Sequence, residues 1–169
     1  MTADDSEFRG AMRLLANGVC IVGTAWEGER SGMTATAVCS LALSPPRLLA
    51  CVNMSGYTYG LIAKSRCISV NVLAQDQEHL AHRFAGLQGQ AKEDRFTEGV
   101  WLQKTTGSPL LADALTALDC RVTDIVPTGS HAIVIATIED ILLGPRRPPL
   151  IHFESGFTSI LSFLPDTAS

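Results

Sequence analysis

Two short segments combine hydroxyl-bearing, amide and small side chains in a way that suits a flat, phosphorylated ligand. The first is residues 32–41, with the sequence GMTATAVCSL. Its small side chains are Ala35 and Ala37, and its hydroxyls belong to Thr34, Thr36 and Ser40. Small side chains let a planar ring approach the backbone, where N–H groups and hydroxyls can meet ring oxygens and nitrogens. A barrel strand that bends tightly through alanine and threonine would have the same pattern, so the residues leave both interpretations open.

The second segment is residues 51–58, CVNMSGYT, where a predicted strand runs into a turn and then a short helix. The turn carries Asn53, Ser55, Gly56 and Thr58. A strand-to-helix turn with hydroxyls and free N–H groups is a natural site for a phosphate. An ordinary helix whose N-terminus is capped by these side chains is the alternative.

The histidines and cysteines form no comparable pattern, and no metal site is predicted. His79 and His82 are three residues apart on a predicted helix, but a metal site needs a third ligand, so we expect a solvated helix face. His131 stands at the entrance of a predicted strand, and His152 is expected to pack beside Phe153. The cysteines are odd in number, lack a Cys-x-x-Cys pair and are predicted to be buried free thiols in a reducing cytoplasm. They are Cys20, Cys39, Cys51, Cys67 and Cys120.

Composition and charge argue against several classes of protein. The formal net charge is −4 and the longest basic run is Arg146-Arg147, so the dense basic patch that binds nucleic acid is absent from the sequence. No apolar run approaches the length of a membrane span, and the acidic start of the chain predicts no signal peptide. No Gly-x-Gly-x-x-Gly follows a predicted strand, which argues against a Rossmann site. Charged residues make up 18% of the chain, below the usual ~25%, which predicts that a second copy covers part of the apolar surface.

The elements that must hold the two segments are mainly strands. Strands are predicted at residues 19–26, 31–43, 47–53, 67–73, 118–127, 131–142 and 150–153, helices at 4–17, 57–64, 75–86 and 108–117, a loop at 87–96 and a frayed tail from 165. Strand 47–53 is almost continuously apolar, which is typical of burial on both faces. Trp26 and Trp101 are expected in the core or an interface. Because hairpins and short helices connect the strands, we expect one domain, with its core at 8–161, built as a closed or nearly closed antiparallel barrel.

In their order and spacing, the motifs of the chain resemble those of the flavin reductase-like family. The resemblance begins at Phe8-Arg9-Gly10-Ala11-Met12 and ends near Leu161. Between these lie Gly32-Met33-Thr34-Ala35, Ser40, Pro45-Pro46, Cys51-Val52-Asn53, Val70-Asn71-Val72-Leu73, Leu80-Ala81-x-x-Phe84-Ala85, Asp94-Arg95-Phe96, Cys120 and Gly129-Ser130-His131. The resemblance implies a mainly β fold: an antiparallel Greek-key split β-barrel of the FMN-binding type, with a few peripheral α-helices. It also implies a homodimer with flavin near the subunit interface.

The resemblance further implies which residues hold the ligands. Residues 34–40 would border the isoalloxazine ring, the turn at 53–58 would lie by the ribityl chain and phosphate, and Arg95 would add positive charge near the phosphate. The implied cofactor contacts are Met33, Thr34, Ala35, Thr36, Ala37, Ser40, Cys51, Val52, Asn53, Ser55, Thr58, Phe84, Ala85 and Arg95. His131 falls at a position associated with the nicotinamide and is the implied catalytic residue.

The activity implied by the resemblance is hydride transfer from NADH or NADPH to FMN or FAD. The reduced flavin, or its electrons, would pass to a partner monooxygenase, a corrinoid or a ferric acceptor. Two departures from the family pattern lie on the pyridine-nucleotide side: Ser130 replaces an aspartate before His131, and residues 155–157 lack the arginine that commonly follows the acidic residue at 154. Two alternatives stay open, namely a non-enzymatic flavin-binding electron carrier or sensor and an oxidase related to pyridoxamine-phosphate oxidases.

Overall fold

The computed structural model describes residues 4–86 and 93–160, and these ranges contain the following elements. The strands are β1 Asn17–Gly18, β2 Cys20–Trp26, β3 Glu29–Ala35, β4 Val38–Leu43, β5 Pro46–Asn53, β6 Cys67–Val72, β7 Trp101–Leu102, β8 Leu110–Leu111, β9 Thr116–Thr128, β10 His131–Leu143, β11 Ile151–Phe153 and β12 Gly156–Thr158. The helices are α1 Asp5–Arg13, α2 Tyr57–Ser65 and α3 Glu78–Phe84, with short 3₁₀ helices at Gln75–Gln77 and Glu93–Thr97. Most of the predicted loop at 87–96 and the predicted frayed tail lie outside the described residues. None of the helices in the described ranges has both the length and the apolar character needed to cross a bilayer.

Seven strands form one antiparallel sheet in the order β3-β2-β6-β9-β10-β5-β4. Several neighbours in this order are distant in sequence, as they are in a Greek key. The two edge strands, β3 and β4, are joined only by Thr36 and Ala37. Consecutive Cα atoms are 3.8 Å apart, so this link spans at most about 11 Å between Ala35 and Val38. The two edges of the sheet therefore meet, and the sheet curls into the predicted antiparallel barrel, which is split between β3 and β4.

The inner face of the barrel holds one apolar core. Its buried residues come from six strands and from α2: Cys20, Val22, Ala35, Leu48, Ala50, Val52, Ile62, Ile68, Val70, Cys120, Val122, Val134 and Ala136. Strand β3, at one end of the sheet order, and strand β5, next to the other end, both contribute to this one cluster, which a flat sheet could not achieve. Burial of these side chains is the dominant favourable term in folding and fixes the frame on which the loops are held.

A second apolar cluster packs α3 and the segment around β7 and β8 against the outside of the barrel. The ring centroids of Phe84 and Phe96 are 5.0 Å apart with their planes at 84°, an edge-to-face arrangement. Gly32 makes this packing possible, since a Cβ there would lie 2.8 Å from Cε1 of Phe84. The cluster thereby holds α3 and the 3₁₀ helix that carries Arg95 beside the end of β3.

Two of the strand predictions are wrong in detail. Residues 31–43 form two strands rather than one, because the chain crosses from one edge of the sheet to the other at Thr36 and Ala37. Strand β5 is fully buried on one face only. Its inner residues are Leu48, Ala50 and Val52, and the intervening Arg47, Leu49 and Cys51 are half-buried. A barrel has a single inner core, so even a continuously apolar strand alternates in burial.

The helix predicted at residues 108–117 is also wrong. Leu111 N donates to Asn71 Oδ1 at 2.7 Å, and Ala112 N donates to Val100 O at 2.8 Å. These tertiary hydrogen bonds occupy the backbone donors that a helix would use, so β8 and a turn form there instead. The helix predicted at 4–17 ends at Arg13, because residues 17 and 18 form β1 and pair with β11.

Candidate functional site

The two predicted binding segments meet at a groove of about 290 Å³ beside the end of β3. The groove is bounded by β3, the turn between β5 and α2, the end of α3 and the 3₁₀ helix at 93–97. Its lining residues are Ser31, Met33, Thr34, Asn53, Gly56, Tyr57, Thr58, Phe84, Ala85 and Arg95. Four parts of the chain that are distant in sequence therefore converge on one concave surface.

Specific hydrogen bonds hold the walls of the groove together. The hydroxyls of Ser31 and Thr58 are both buried and lie 2.8 Å apart, which ties β3 to α2. Thr34 Oγ1 donates to the carbonyl oxygen of Ala81 at 2.6 Å, which ties β3 to α3. Buried hydrogen bonds of this kind fix orientation, because a misplaced hydroxyl would lose its partner without gaining water.

The charge in the groove comes from Arg95. Its Nη1 donates to the carbonyl oxygens of Gly32 at 3.2 Å and Phe84 at 3.4 Å, so the guanidinium is held in place without being neutralised. Arg95 forms no ion pair with any carboxylate of residues 4–86 and 93–160, and its buried Nε has no hydrogen-bond partner there. A fixed, uncompensated guanidinium with spare donors is a site for an anion such as a phosphate.

The backbone of β3 adds a second feature that fits a planar heterocycle. Because β3 is an edge strand, its outer edge carries N–H and C=O groups that no neighbouring strand of the described chain pairs. Gly32 O on this edge already accepts from Arg95. The N–H and C=O groups of this edge can pair with the polar atoms of a planar ring, and the fixed guanidinium of Arg95 can pair with a phosphate joined to that ring. The residues present therefore fit a flavin.

The turn between β5 and α2 is ordered by its own side chains. Asn53 Oδ1 accepts from both N and Oγ of Ser55, each at 2.9 Å, which makes an Asx turn. Asn53 and Thr58 line the groove, whereas Ser55 is exposed and does not. Ser55 therefore stabilises the turn by donating to Asn53 and does not line the groove.

The structure divides the predicted cofactor contacts into three groups. Those that line the groove are Met33, Thr34, Asn53, Thr58, Phe84, Ala85 and Arg95. Thr36 and Ser40 line another cavity of about 330 Å³ near the β4 edge of the split. The side chains of Ala35 and Val52 lie in the barrel core, Cys51 is half-buried on β5, and Ala37 and Ser55 are exposed. The link at 36–37 explains the division, because it carries the first segment across the split.

His131 lies beside the groove without lining it. It begins β10, pairs across the sheet with Asn53, and is exposed. Its Nδ1 lies 2.9 Å from Ser130 Oγ, and the carbonyl oxygen of Ser130 accepts from Met54 N at 3.0 Å. Ser130, a departure from the family pattern, therefore orients the imidazole and anchors the hairpin to the turn.

Ser31 and Tyr57 belong to the groove although the sequence did not single them out. Ser31 shares a strand face with Met33, so the period of two in β3 could have indicated it. The Tyr57 hydroxyl donates to the carboxylate of Glu29, a contact between residues distant in sequence. No local pattern predicts such a pair.

The cysteines supply no nucleophile in the groove. Burial raises the pKa of Cys20 and of Cys120 to about 12, so both stay protonated near neutral pH. Burial also raises the pKa of Cys67. All five cysteines are free thiols, but the prediction of burial is wrong for Cys39, which is exposed on the edge strand β4.

Comparisons with known proteins agree with this geometry. A family model described as a flavin reductase like domain matches residues 12–161. The FMN reductase (NADH) RutF of Enterobacter sp. (strain 638) is 38% identical over 160 residues, which cover 95% of this chain and 96% of that protein. The 4-hydroxyphenylacetate 3-monooxygenase reductase component of Salmonella typhimurium (strain LT2) is 36% identical over 150 residues, covering 89% and 88%. The solved structure of the flavin reductase PheA2 matches with a TM-score of 0.85 and 30% identity, covering 95% of this chain and 100% of that one.

Proposed function

Because this chain belongs to the flavin reductase-like family, and is thus an NAD(P)H:flavin oxidoreductase, we propose that it binds FMN in the groove and reduces it with NADH. The observation that carries the proposal is the convergence of Arg95, the β5–α2 turn and the free edge of β3 on one surface. A bound flavin supplies the redox chemistry, since it accepts a hydride from the nicotinamide.

The residues of this chain have the tasks of binding and orientation. Arg95 would hold the phosphate, Asn53 and Thr58 would lie by the ribityl chain, and the edge of β3 with Thr34 would face the ring. Residues 36–40 and Cys51 would border the ring from the β4 side of the split. Holding the nicotinamide and the flavin ring in contact can supply a large part of the reduction in the activation barrier for hydride transfer. Hydride transfer needs no protein nucleophile. The buried thiols stay protonated, which is consistent with a protein that binds and orients its ligands and supplies no nucleophile.

Steady-state oxidation of NADH in the presence of FMN tests the proposal directly. We expect turnover that depends on added or bound flavin. Tight flavin binding without turnover would instead identify a non-enzymatic flavin-binding carrier. The departures at Ser130 and Ser155 make this comparison worthwhile, because both fall on the pyridine-nucleotide side.

Replacing His131 by alanine is expected to raise the KM for NADH by about 3- to 10-fold, the loss of one hydrogen bond, while the Kd for FMN changes less. The reason is its position, beside the groove yet outside its lining. Steady-state kinetics and a flavin titration on the same protein measure the two constants. Val126→Ala, an exposed change on the same hairpin, is the control. An unchanged KM for NADH would remove this role.

A partner oxygenase is the proposed consumer of the reduced flavin. A close relative is named as the reductase component of a 4-hydroxyphenylacetate 3-monooxygenase, which supports this assignment. The free thiols support a location in the reducing cytoplasm.

A homodimer is proposed from the apolar face of α1, which the other described residues leave exposed. All nine residues of this helix are exposed, and Phe8 is 59% exposed. Isolated helices shorter than about 12–15 residues are marginal in water, so α1 needs a surface to pack on. A second copy of the chain is the commonest such surface in soluble proteins. A further apolar patch lies at the β4 edge and the end of β10, where Leu43 is 89% exposed and Leu143 is 79% exposed.

The double variant Phe8→Glu with Met12→Glu is expected to shift the protein from dimer to monomer. Both side chains lie on one face of α1. Burying a glutamate carboxylate from this face in an interface is costly unless an opposite charge pairs with it. Sedimentation velocity measures the mass. Gly10→Glu adds one negative charge on the opposite face of the helix and should leave the dimer intact. A wild-type monomer at micromolar concentration would contradict the proposal.

A further inference from the structure

The cavity of about 330 Å³ that Thr36 and Ser40 line lies on the β4 side of the split, and we call it the end cavity. Its floor is aliphatic and comes from four strands: Val38, Val70, Val72, Leu118 and Ile138. All of these side chains except Val70 are only half-buried, although they pack against the barrel core. The described part of the chain thus leaves an aliphatic surface open, in a cavity within the size range of small-molecule sites, ~300–1,000 Å³.

Arg47 is the only charged residue in the described lining of the end cavity. Its side chain is half-buried, and its Nε is fully buried without a hydrogen-bond partner in the described residues. The guanidinium forms no ion pair with a carboxylate of residues 4–86 and 93–160. Withdrawing a cation from water without a compensating partner is unfavourable, so an anion bound at Arg47 would remove a penalty that the folded chain otherwise carries.

The acidic residue beside Arg47 on the neighbouring strand is already paired. Arg47 lies opposite Thr137 of β10, and Glu139 follows two residues later on the same strand. The carboxylate of Glu139 lies 3.3 Å from Nε of Arg121, so it is committed to another guanidinium. The charge of Arg47 therefore remains available to a ligand.

Two hydroxyls complete the polar side of the end cavity. Thr36 and Ser40 make no side-chain hydrogen bond to any other residue that the structure describes. A carboxylate can accept two parallel hydrogen bonds from a guanidinium and further bonds from hydroxyls. An aliphatic floor with one cation and two free hydroxyls at its edge suits a ligand with one anionic group and an apolar body.

We propose that the end cavity binds a small monocarboxylic acid, with its carboxylate at Arg47 and its apolar body on the aliphatic floor. A ligand rich in hydroxyls is disfavoured, because the floor would leave those groups without partners. The proposed function places residues 36–40 against the flavin ring, so the acid would be a third small molecule beside that ring. The inference therefore goes beyond the proposed function, and binding to the apoprotein tests it without turnover.

Isothermal titration calorimetry with cyclohexanecarboxylate measures this binding. The probe combines an aliphatic ring with a carboxylate that is ionised at neutral pH, and its expected Kd is on the order of 1 mM. Cyclohexanecarboxamide has nearly the same shape without the charge and is expected to bind at least about tenfold more weakly. The absence of any heat from the acid up to about 10 mM would overturn the proposal.

Arg47→Met keeps an unbranched apolar stem and removes the charge. It is expected to raise the Kd for the acid about tenfold and to leave the Kd for the amide unchanged. Arg47→Lys should recover part of the loss, whereas Ile138→Phe narrows the cavity and should weaken acid and amide alike. Arg146→Met removes an exposed arginine elsewhere and is the matched control. The same Kd for the acid in Arg47→Met and in the wild-type protein would exclude the assigned contact.

Repeating the titration with saturating FMN, and then with saturating NAD⁺, separates the end cavity from the sites of these two ligands. Retained binding of the acid in both cases supports an independent site. Competition with either ligand would mean that this ligand fills the cavity, and the proposal would fall. The FMN titration also reports the folding of each variant. If FMN did not bind while the acid still did, the proposed function would fail and this inference would stand.

A second copy of the chain is the other source of a carboxylate for Arg47. In that case the acid would not bind the wild-type protein, and Arg47→Met would shift the dimer to monomer in sedimentation velocity. This pair of results would overturn the proposal in favour of a contact between subunits.

Discussion

Replacing Arg95 by methionine is expected to weaken FMN binding by about 10- to 100-fold and to leave riboflavin binding nearly unchanged. The guanidinium is held by two backbone carbonyls and is not neutralised by a described carboxylate, so its charge is available to a phosphate. Hydrogen bonds to charged groups are worth about 1.5–3 kcal/mol, and each 1.4 kcal/mol is tenfold in Kd. Riboflavin has the same ring but no phosphate. Fluorescence titrations of both ligands therefore isolate the contribution of the phosphate.

Arg83→Met is the matched control for this experiment. Arg83 also bridges α3 and the 3₁₀ helix, since its Nη1 donates to Asp94 O at 2.9 Å and its Nη2 meets the carboxylate of Glu98. It does not line the groove. If both variants lost FMN affinity equally, the effect would come from the packing of α3 against the 3₁₀ helix. If riboflavin affinity fell as much as FMN affinity in Arg95→Met, the phosphate role would be excluded.

The strands around the groove could be predicted because their signals are local. Residues 19–26, 47–53 and 67–73 are rich in apolar and β-branched side chains and are bounded by turn residues, and β2, β5 and β6 occupy nearly those ranges. The break at Thr36 and Ala37 could not be predicted in this way. It arises because β3 and β4 occupy opposite edges of a closed sheet, and closure is a property of the whole barrel.

The sequence predicted the two binding segments of the groove, but it did not predict the tertiary contacts that hold them together. Thr34, Asn53 and Thr58 come from segments whose hydroxyls and small residues already suggested a ring and a phosphate. Their neighbours are set by pairs such as Ser31 with Thr58, 27 residues apart, for which the sequence has no periodic signal. Thr36 and Ser40 belong to the same segment as Thr34 but line a different cavity. The chain crosses from β3 to β4 at residues 36 and 37, and this crossing separates residues that are close in sequence.

Asn71 shows how a family motif residue can serve the fold rather than the ligand. It is fully buried on β6, and its Oδ1 accepts from Leu111 N at 2.7 Å. Its Nδ2 donates to the carbonyl oxygens of Ile21 at 3.1 Å and Pro109 at 3.3 Å. These contacts hold the segment before β9 against the barrel, in place of the helix that local propensity favours at 108–117. The amide therefore decides the local structure of residues distant from it in sequence.

The variant Asn71→Leu is accordingly expected to lower the free energy of unfolding by about 3 kcal/mol. Leucine has a similar volume, but it leaves the Leu111 N–H buried without a partner, and each such group costs about 1–3 kcal/mol. Urea denaturation followed by tryptophan fluorescence measures the loss. Gln103→Ala removes an exposed amide that donates to Gly107 O at 2.9 Å and should cost no more than about 0.5 kcal/mol. Equal losses in the two variants would contradict the structural role of Asn71, because a surface hydrogen bond and a buried one differ in whether water can replace the missing partner.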